Sequence, residues 1–384
     1  MTAPRLDIDL DKIYHNACSL VRRLAARGIS VTGVTKASLG STAIANTFLR
    51  AGVTHLGDSR IDNIEAMHRE HITAPMMLIR SPMLSQVTRV VRHSDMSVNT
   101  EMTVIRALSA AAGVAGCTHG IMLMVELGDL REGIMPADLE HVAREVVRLP
   151  HVRLCGIGTN LACQSGVVPD SGNMDELSAL AETLEATLGV HLAIISGGNS
   201  ANLDWALGAS VTGRINNLRL GESILLGCEP LHRQPIDGLY TDAITFVAEV
   251  IEQKLKPSQS RGHIAQTAFG DAAQFVDRGR IVRTILAVGH QDIDPGGLSA
   301  PIDMTILGTS SDHLVLDPGN NVLSVGDEIR FGVNYSALMK AMTSRFVIKA
   351  ERGGKRGVQQ EISGHRVTKS YQEMGGPTSS RYSP

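Results

Sequence analysis

Lys36 closes the stretch VTGVTK, in which Val31, Thr32, Val34 and Thr35 are β-branched, and Gly40, Ser41 and Thr42 then read as a turn into a helix. A lysine at the C-terminal end of a buried strand has two uses. Its stem can cover apolar surface while the ammonium reaches water. Alternatively, in a partly apolar mouth, it loses its proton readily enough to condense with an aldehyde. Two other segments bear on the choice. Ser196-Gly197-Gly198-Asn199-Ser200 leads into the helix-like ANLDWAL, and Arg219-Leu220-Gly221-Glu222-Ser223 ends another strand-like run. Each offers bare backbone N–H groups and a hydroxyl, the donor set that holds a phosphate. A glycine turn alone is common for steric reasons. Two of them beside a strand-end lysine are a much rarer coincidence.

Such residues meet only if the intervening elements bring strand ends to one place. From Ser30 to Gly227 a short β-branched run, a polar or glycine turn and an amphipathic helical stretch alternate. The strand candidates number eight: Val31–Lys36, Thr54–Gly57, Pro75–Ile79, Asp95–Asn99, Gly120–Glu126, Val152–Thr159, His191–Ser196 and Asn216–Gly221. Between them lie helices such as Thr100–Ala112, Ala137–Arg148 and Met174–Leu188. Eight such alternations predict an α/β fold, an eight-stranded (β/α)8 barrel of the TIM type. Barrels of this kind bind ligands at the C-terminal ends of their strands, with phosphate commonly held by the loops after the seventh and eighth.

From about Pro235 the character changes. TDAITFVAEVIEQKL, RIVRTILAVG, PIDMTILGTSSDHLVLD and DEIRFGV read as strands joined by glycine and proline turns, with little helix. The expected organisation is a barrel domain over 1–234, with residues 5–10 free to pair with the β domain. A β-rich domain over 235–350 and a polar tail over 351–384, disordered or loosely docked, complete it.

The 36 basic and 39 acidic residues leave a net charge of −3, and no basic block tracks a phosphate backbone. Nucleic acid is therefore not an expected partner. No signal segment or membrane-spanning run is evident, and the expectation is a cytoplasmic protein that does not enter membranes. The five cysteines show no zinc spacing and read as reduced thiols, and no metal site is expected.

A strand-end lysine beside a phosphate cradle suggests pyridoxal 5'-phosphate. At this point the chain resembles the fold-type III pyridoxal-phosphate enzymes, and among them the alanine racemase family in its ornithine racemase-like branch. The resemblance covers residues 5 to 350. The segments GDSRIDNIEAM, SPML, MVELGDLREG, GGNS, NLRLGES and SSDHL point to that branch. It implies that Lys36 in GVTKA binds the cofactor's aldehyde. Arg131 in ELGDLREG would lie near the phenolic oxygen and hold substrate, and Ser200, beside Asn199, would contact phosphate. Arg219 would face the pyridine nitrogen, while the amides at Gly221 and Glu222 and the hydroxyl of Tyr335 in VNYSAL also bind phosphate. A guanidinium cannot accept a proton. The ring nitrogen opposite it stays unprotonated, which favours return of the α-proton, hence racemisation over transamination.

Three positions depart from the family pattern. Met124 stands where a lysine usually begins its segment, Asn160 stands where a histidine usually lies over the ring, and His290 in AVGHQDID replaces the catalytic tyrosine. The implied activity is a two-base amino-acid racemase, with Lys36 on one face of Cα and His290, a residue type that moves protons near neutral pH, on the other. The family further implies a homodimer with shared active sites, in which the second base comes from the neighbouring subunit's β domain and Ser311 and Asp312 reach substrate in the partner's site. The branch implies ornithine or another basic amino acid, with alanine still open. A non-catalytic pyridoxal-phosphate carrier of the same fold is the rival reading.

Overall fold

A computed structural model describes residues 2–267, 269–270 and 276–354. The chain enters on β1 (Arg5–Asp9), and the Asp9 side chain then caps α1 (Leu10–Ala25) by accepting from the amides of Asp11 and Lys12. Eight parallel strands follow: β2 (Ser30–Val34), β3 (His55–Asp58), β4 (Met76–Leu78), β5 (Met96–Asn99), β6 (His119–Met124), β7 (Val152–Gly158), β8 (Ile194–Ser196) and β9 (Asn217–Leu220). They close on themselves, with β9 pairing β2 through Ser30–Asn217 to Gly33–Leu220. The connecting helices are α2 (Thr42–Arg50), α3 (Ile61–Arg69), α4 (Val87–His93), α5 (Met102–Ala115), α6 (Pro136–Arg148), α7 (Ser171–Leu188), α8 (Leu203–Leu207) and α9 (Glu222–Leu226). The expected barrel is therefore present.

Alternation along each strand sorts the side chains into two layers. Val31, Leu56, Ile121, Leu123, Leu218 and Leu220 face outward into the main core beneath the helices. Met77, Met96, Val98, Met122, Met124 and Cys155 form a separate buried cluster. Unbranched methionines suit such an irregular space because they adapt their shape.

The β domain follows the barrel. It contains β10 (Ile244–Pro257), β11 (Arg280–Leu286), β12 (Leu298–Ser299), β13 (Thr305–Thr309), β14 (Leu314–Asp317) and β15 (Glu328–Val333), in the order β12-β15-β10-β11-β14-β13. Strand β1 lies antiparallel to β10 and parallel to β16 (Ile348–Arg352). The register sets Leu6 against Phe246 and Phe246 against Phe331, three fully buried side chains in one row. Sheet pairing thus continues through Glu351 and Arg352, two positions inside the segment read as tail. Residues 355–384 of that tail lie outside the described residues.

One element departs from the expected strand-rich pattern. Helix α10 (Tyr335–Thr343) is capped by Asn334, whose side chain accepts from the amide of Ala337, and buries Leu338, Ala341 and Met342 along one face. Among the described residues no helix is long and apolar enough to cross a membrane.

Candidate active site

A cavity of about 480 Å³ collects side chains that follow the C-terminal ends of the barrel strands. It is lined by Lys36, Arg131, Asn199, Ser200, Arg219, Gly221, Glu222 and Tyr335, every residue expected from the barrel and from the VNYSAL segment. The volume suits a small cofactor or ligand.

Strand β2 ends at Val34, earlier than expected, and Lys36 opens a short 3-10 turn over Lys36–Ser38. The turn is tied to the next strand. Thr35 Oγ1 donates to Asp58 Oδ2 at 2.7 Å, while Asp58 Oδ1 accepts from the amide of Arg60 and from Asn63. Burial lowers the Lys36 pKa below the ordinary lysine value, and the nearby positive charge of Arg131 adds to the effect. Burial likewise raises the pKa of the Tyr335 phenol. Helix α10 packs on the Lys36–Ser38 turn, which accounts for a β-domain tyrosine lining a barrel cavity.

Arg219 is 5% exposed. Its guanidinium donates to Ser196 Oγ and, at 2.7 Å, to the carbonyl of Thr159. The Ser196 hydroxyl in turn donates a hydrogen bond to Asn217 Oδ1 at 2.9 Å, and Asn217 Nδ2 donates to Ser30 and Thr32. The hydrogen-bond partners of the guanidinium, Ser196, Thr159 and Asn160, are all neutral. Burial, helped by Arg131, lowers its pKa to about 10.

The ELGDLREG segment folds into a loop clamped by its own acids. Val125 and Ile134 bridge its ends, and Glu126 Oε1 accepts from the amides of Gly128 and Leu130 at 2.6 and 3.0 Å. A Cβ at Gly133 would sit 2.5 Å from the Glu126 nitrogen, so only glycine allows this closure. Asp129 is fully buried and accepts from the amides of Cys163, Gln164 and Ser165. It thereby fastens the loop after β7 to the loop that carries Arg131. Arg131 makes a two-point pair with Glu132. Burial pulls its pKa down, but Glu132 outweighs this and the net effect is upward.

Asn199 joins the loops after β7 and β8. Its amide nitrogen donates to Asn160 Oδ1 at 3.1 Å and to the Leu161 carbonyl at 2.9 Å, while its oxygen caps the turn at Ala201. The Ser200 and Ser223 hydroxyls lie 3.0 Å apart, linking the two glycine loops. Glu222 is covered by Arg233, yet burial still raises its pKa.

His290, Ser311 and Asp312 do not line this cavity. They form a second group on the β domain: the His290 amide donates to the Ser310 carbonyl at 3.0 Å and the Gln291 amide to that of Ser311 at 2.9 Å. The His290 ring packs against Phe269 at 4.2 Å. Conversely, the cavity contains Glu132, Arg233 and Met339, which the sequence reading passed over, and Cys163, which it did not assign. Glu132 had a signal, since it adjoins Arg131. Arg233 and Met339 come from segments with no motif.

The family model for the alanine racemase N-terminal domain matches residues 8–230. The lysine racemase of Thermotoga maritima is 39% identical over 352 residues, covering 91% of this chain and 98% of that protein. The ornithine racemase of Acetoanaerobium sticklandii is 37% identical over 352 residues, covering 90% and 99%. Among solved structures, the alanine racemase of Streptomyces lavendulae aligns with a TM-score of 0.72 at 18% identity, over 92% of this chain and 98% of that one. The D-threonine aldolase of Filomicrobium marinum aligns with 0.71 at 16% identity, over 91% and 92%. At such identities the two structures speak for the fold alone.

Proposed function

The chain belongs to the alanine racemase family of amino-acid racemases, and we propose that it interconverts the L and D forms of a basic amino acid, lysine or ornithine, with pyridoxal phosphate as cofactor. The family implies that cofactor, and the residues here fit it. The Nδ2 of Asn160 is buried without a hydrogen-bond partner in the cavity wall. Arg219 presents a guanidinium to the cavity and hydrogen-bonds to the neutral groups of Ser196, Thr159 and Asn160, the setting for an unprotonated ring nitrogen. Lys36, Ser200, Gly221 and Tyr335 share the same space.

Bound pyridoxal phosphate supplies an aldehyde for the amino group and a ring that acidifies the α-hydrogen. In this reading Lys36 holds the aldehyde and then, once freed, moves the α-proton on one face. Its burial favours the neutral amine that this task needs. Ser200, Tyr335 and the amides at Gly221 and Glu222 hold the phosphate, while Asn199 fixes the loop. Arg131 orients the substrate carboxylate. His290 serves the second face, with Ser311 and Asp312 at the substrate. Because these three do not line their own chain's cavity, the reading requires a homodimer in which one copy's β domain closes the other's barrel. A boundary near residue 235 and a cytoplasmic location belong to the same reading.

The observation that carries the proposal is the meeting of Lys36, Arg131, Ser200, Arg219 and Tyr335, from five separate segments, in one cavity. Racemisation assays over lysine, ornithine, arginine, alanine and serine, with and without added cofactor, test it. Cofactor-dependent loss of optical rotation, strongest with lysine or ornithine, is expected. A protein that binds the cofactor but racemises none of the panel is a carrier instead.

A further inference from the structure

Two carboxylates line the cavity, Glu132 and Glu222, among the cations Lys36, Arg131, Arg219 and Arg233. Glu222 is already engaged, with 14% of its side chain exposed and Arg233 over it. Glu132 differs. It pairs with its own neighbour Arg131, its side chain is 27% exposed, and it lies within electrostatic reach of Arg219.

We propose that Glu132 is the residue that selects a basic amino acid, receiving the substrate's distal ammonium when Arg131 turns to its α-carboxylate. This rests on the reading of the substrate given above. A guanidinium offers the same two-point geometry to any carboxylate, so an incoming α-carboxylate competes with Glu132 for Arg131. Displaced, Glu132 would be a half-buried carboxylate without a partner, which is costly. Lysine or ornithine carries the replacement cation, and two ion pairs then stand where one stood. Alanine brings a carboxylate and no second cation, so it leaves Glu132 unpaired. Selection comes as much from the penalty on the wrong ligand as from contact with the right one. The exchange needs only side chains to move, because the Val125–Ile134 bridge and the Glu126 clamp fix the loop backbone.

Glu132→Gln keeps the shape and removes the charge, and Glu132→Asp keeps the charge. Holoenzyme of each is assayed with L-lysine, L-ornithine and L-alanine. Binding of α-methyl-ornithine and α-methyl-alanine, which have no α-hydrogen to lose, is followed by calorimetry. For Glu132→Gln, KM for both basic substrates rises about 10-fold or more, the effect of losing a charged hydrogen bond, with kcat little changed. Affinity for α-methyl-ornithine falls by a similar factor, while the alanine values hold or improve. Glu132→Asp retains the basic preference. An unchanged lysine-to-alanine ratio in Glu132→Gln overturns the inference, and so does an equal loss for every ligand, which would mark Glu132 as a mere prop for Arg131. In either case a wild-type enzyme active on lysine or ornithine leaves the proposed function standing. Wild-type protein inactive on both basic substrates removes that function and this inference together.

Discussion

Ser196 stands between Arg219 and Asn217: its hydroxyl accepts from the guanidinium and donates to the Asn217 amide oxygen at 2.9 Å. Asn217 in turn is anchored on Ser30 and Thr32 of the first barrel strand. The relay is neutral throughout. It orients a buried guanidinium without compensating its charge, and in the proposed role such an arginine would face the ring nitrogen and leave it unprotonated.

Removing Asn217 should therefore weaken both fold and site. Asn217→Ala strands the Ser196 hydroxyl in the barrel interior, a loss of about 1–3 kcal/mol in unfolding free energy. It also frees Arg219 to turn, so the absorption spectrum of the bound cofactor should change. Denaturant unfolding and a spectrum of the loaded protein check this. Wild-type stability and an unaltered spectrum would show that the relay has no role.

Lys36 gives a prediction in pH. Its pKa is lowered by burial, so between that value and the ordinary ~10.4 the unfolded chain binds more protons than the folded one, and stability rises with pH. Below the window the cost of a buried ammonium is present in full. Lys36→Met removes it. The cofactor-free variant should be more stable than the cofactor-free wild type at pH 7, and the gap should close as pH approaches 10. Urea titrations across that range measure it, and a gap that does not vary with pH contradicts the account.

Much of the scaffold was legible because its strands obey local rules: β-branched runs ending at glycine or polar turns, repeated eight times. The strand expected over His191–Ser196 is shorter in the structure. The Leu192 amide bonds to the Glu185 side chain instead of a strand neighbour, and only Ile194–Ser196 pairs. Helix α10 was not legible because it is a short element between β-rich segments, marked at its start only by the cap Asn334. In the site, Lys36 and the glycine loops were visible from residue type and position. Asp129 was not, since an acid among acids looks solvated until its burial against the Cys163–Ser165 amides is seen. The separation of His290 from its own chain's cavity agrees with the shared active sites that the family resemblance implies, although no residue type or spacing in the sequence signals it.

In the proposed two-base reading, His290→Ala separates the two faces. Racemisation in either direction needs both bases, so inversion should vanish from both enantiomers. One enantiomer should nevertheless exchange its α-hydrogen with deuterated water and keep its configuration, because Lys36 can remove and return that proton alone. Deuterium uptake and optical rotation, followed separately for each enantiomer, distinguish these. Normal racemisation by the variant moves the second base elsewhere, and Cys163, which lines the cavity, is the next residue to replace.

Lys36 is proposed as the amine that holds the cofactor. Borohydride reduction of the loaded protein makes that linkage permanent, and peptide mass mapping then locates it. The added mass is expected on the peptide containing Lys36, with none after Lys36→Ala. The same mass on any other lysine, or persisting in the variant, would contradict it.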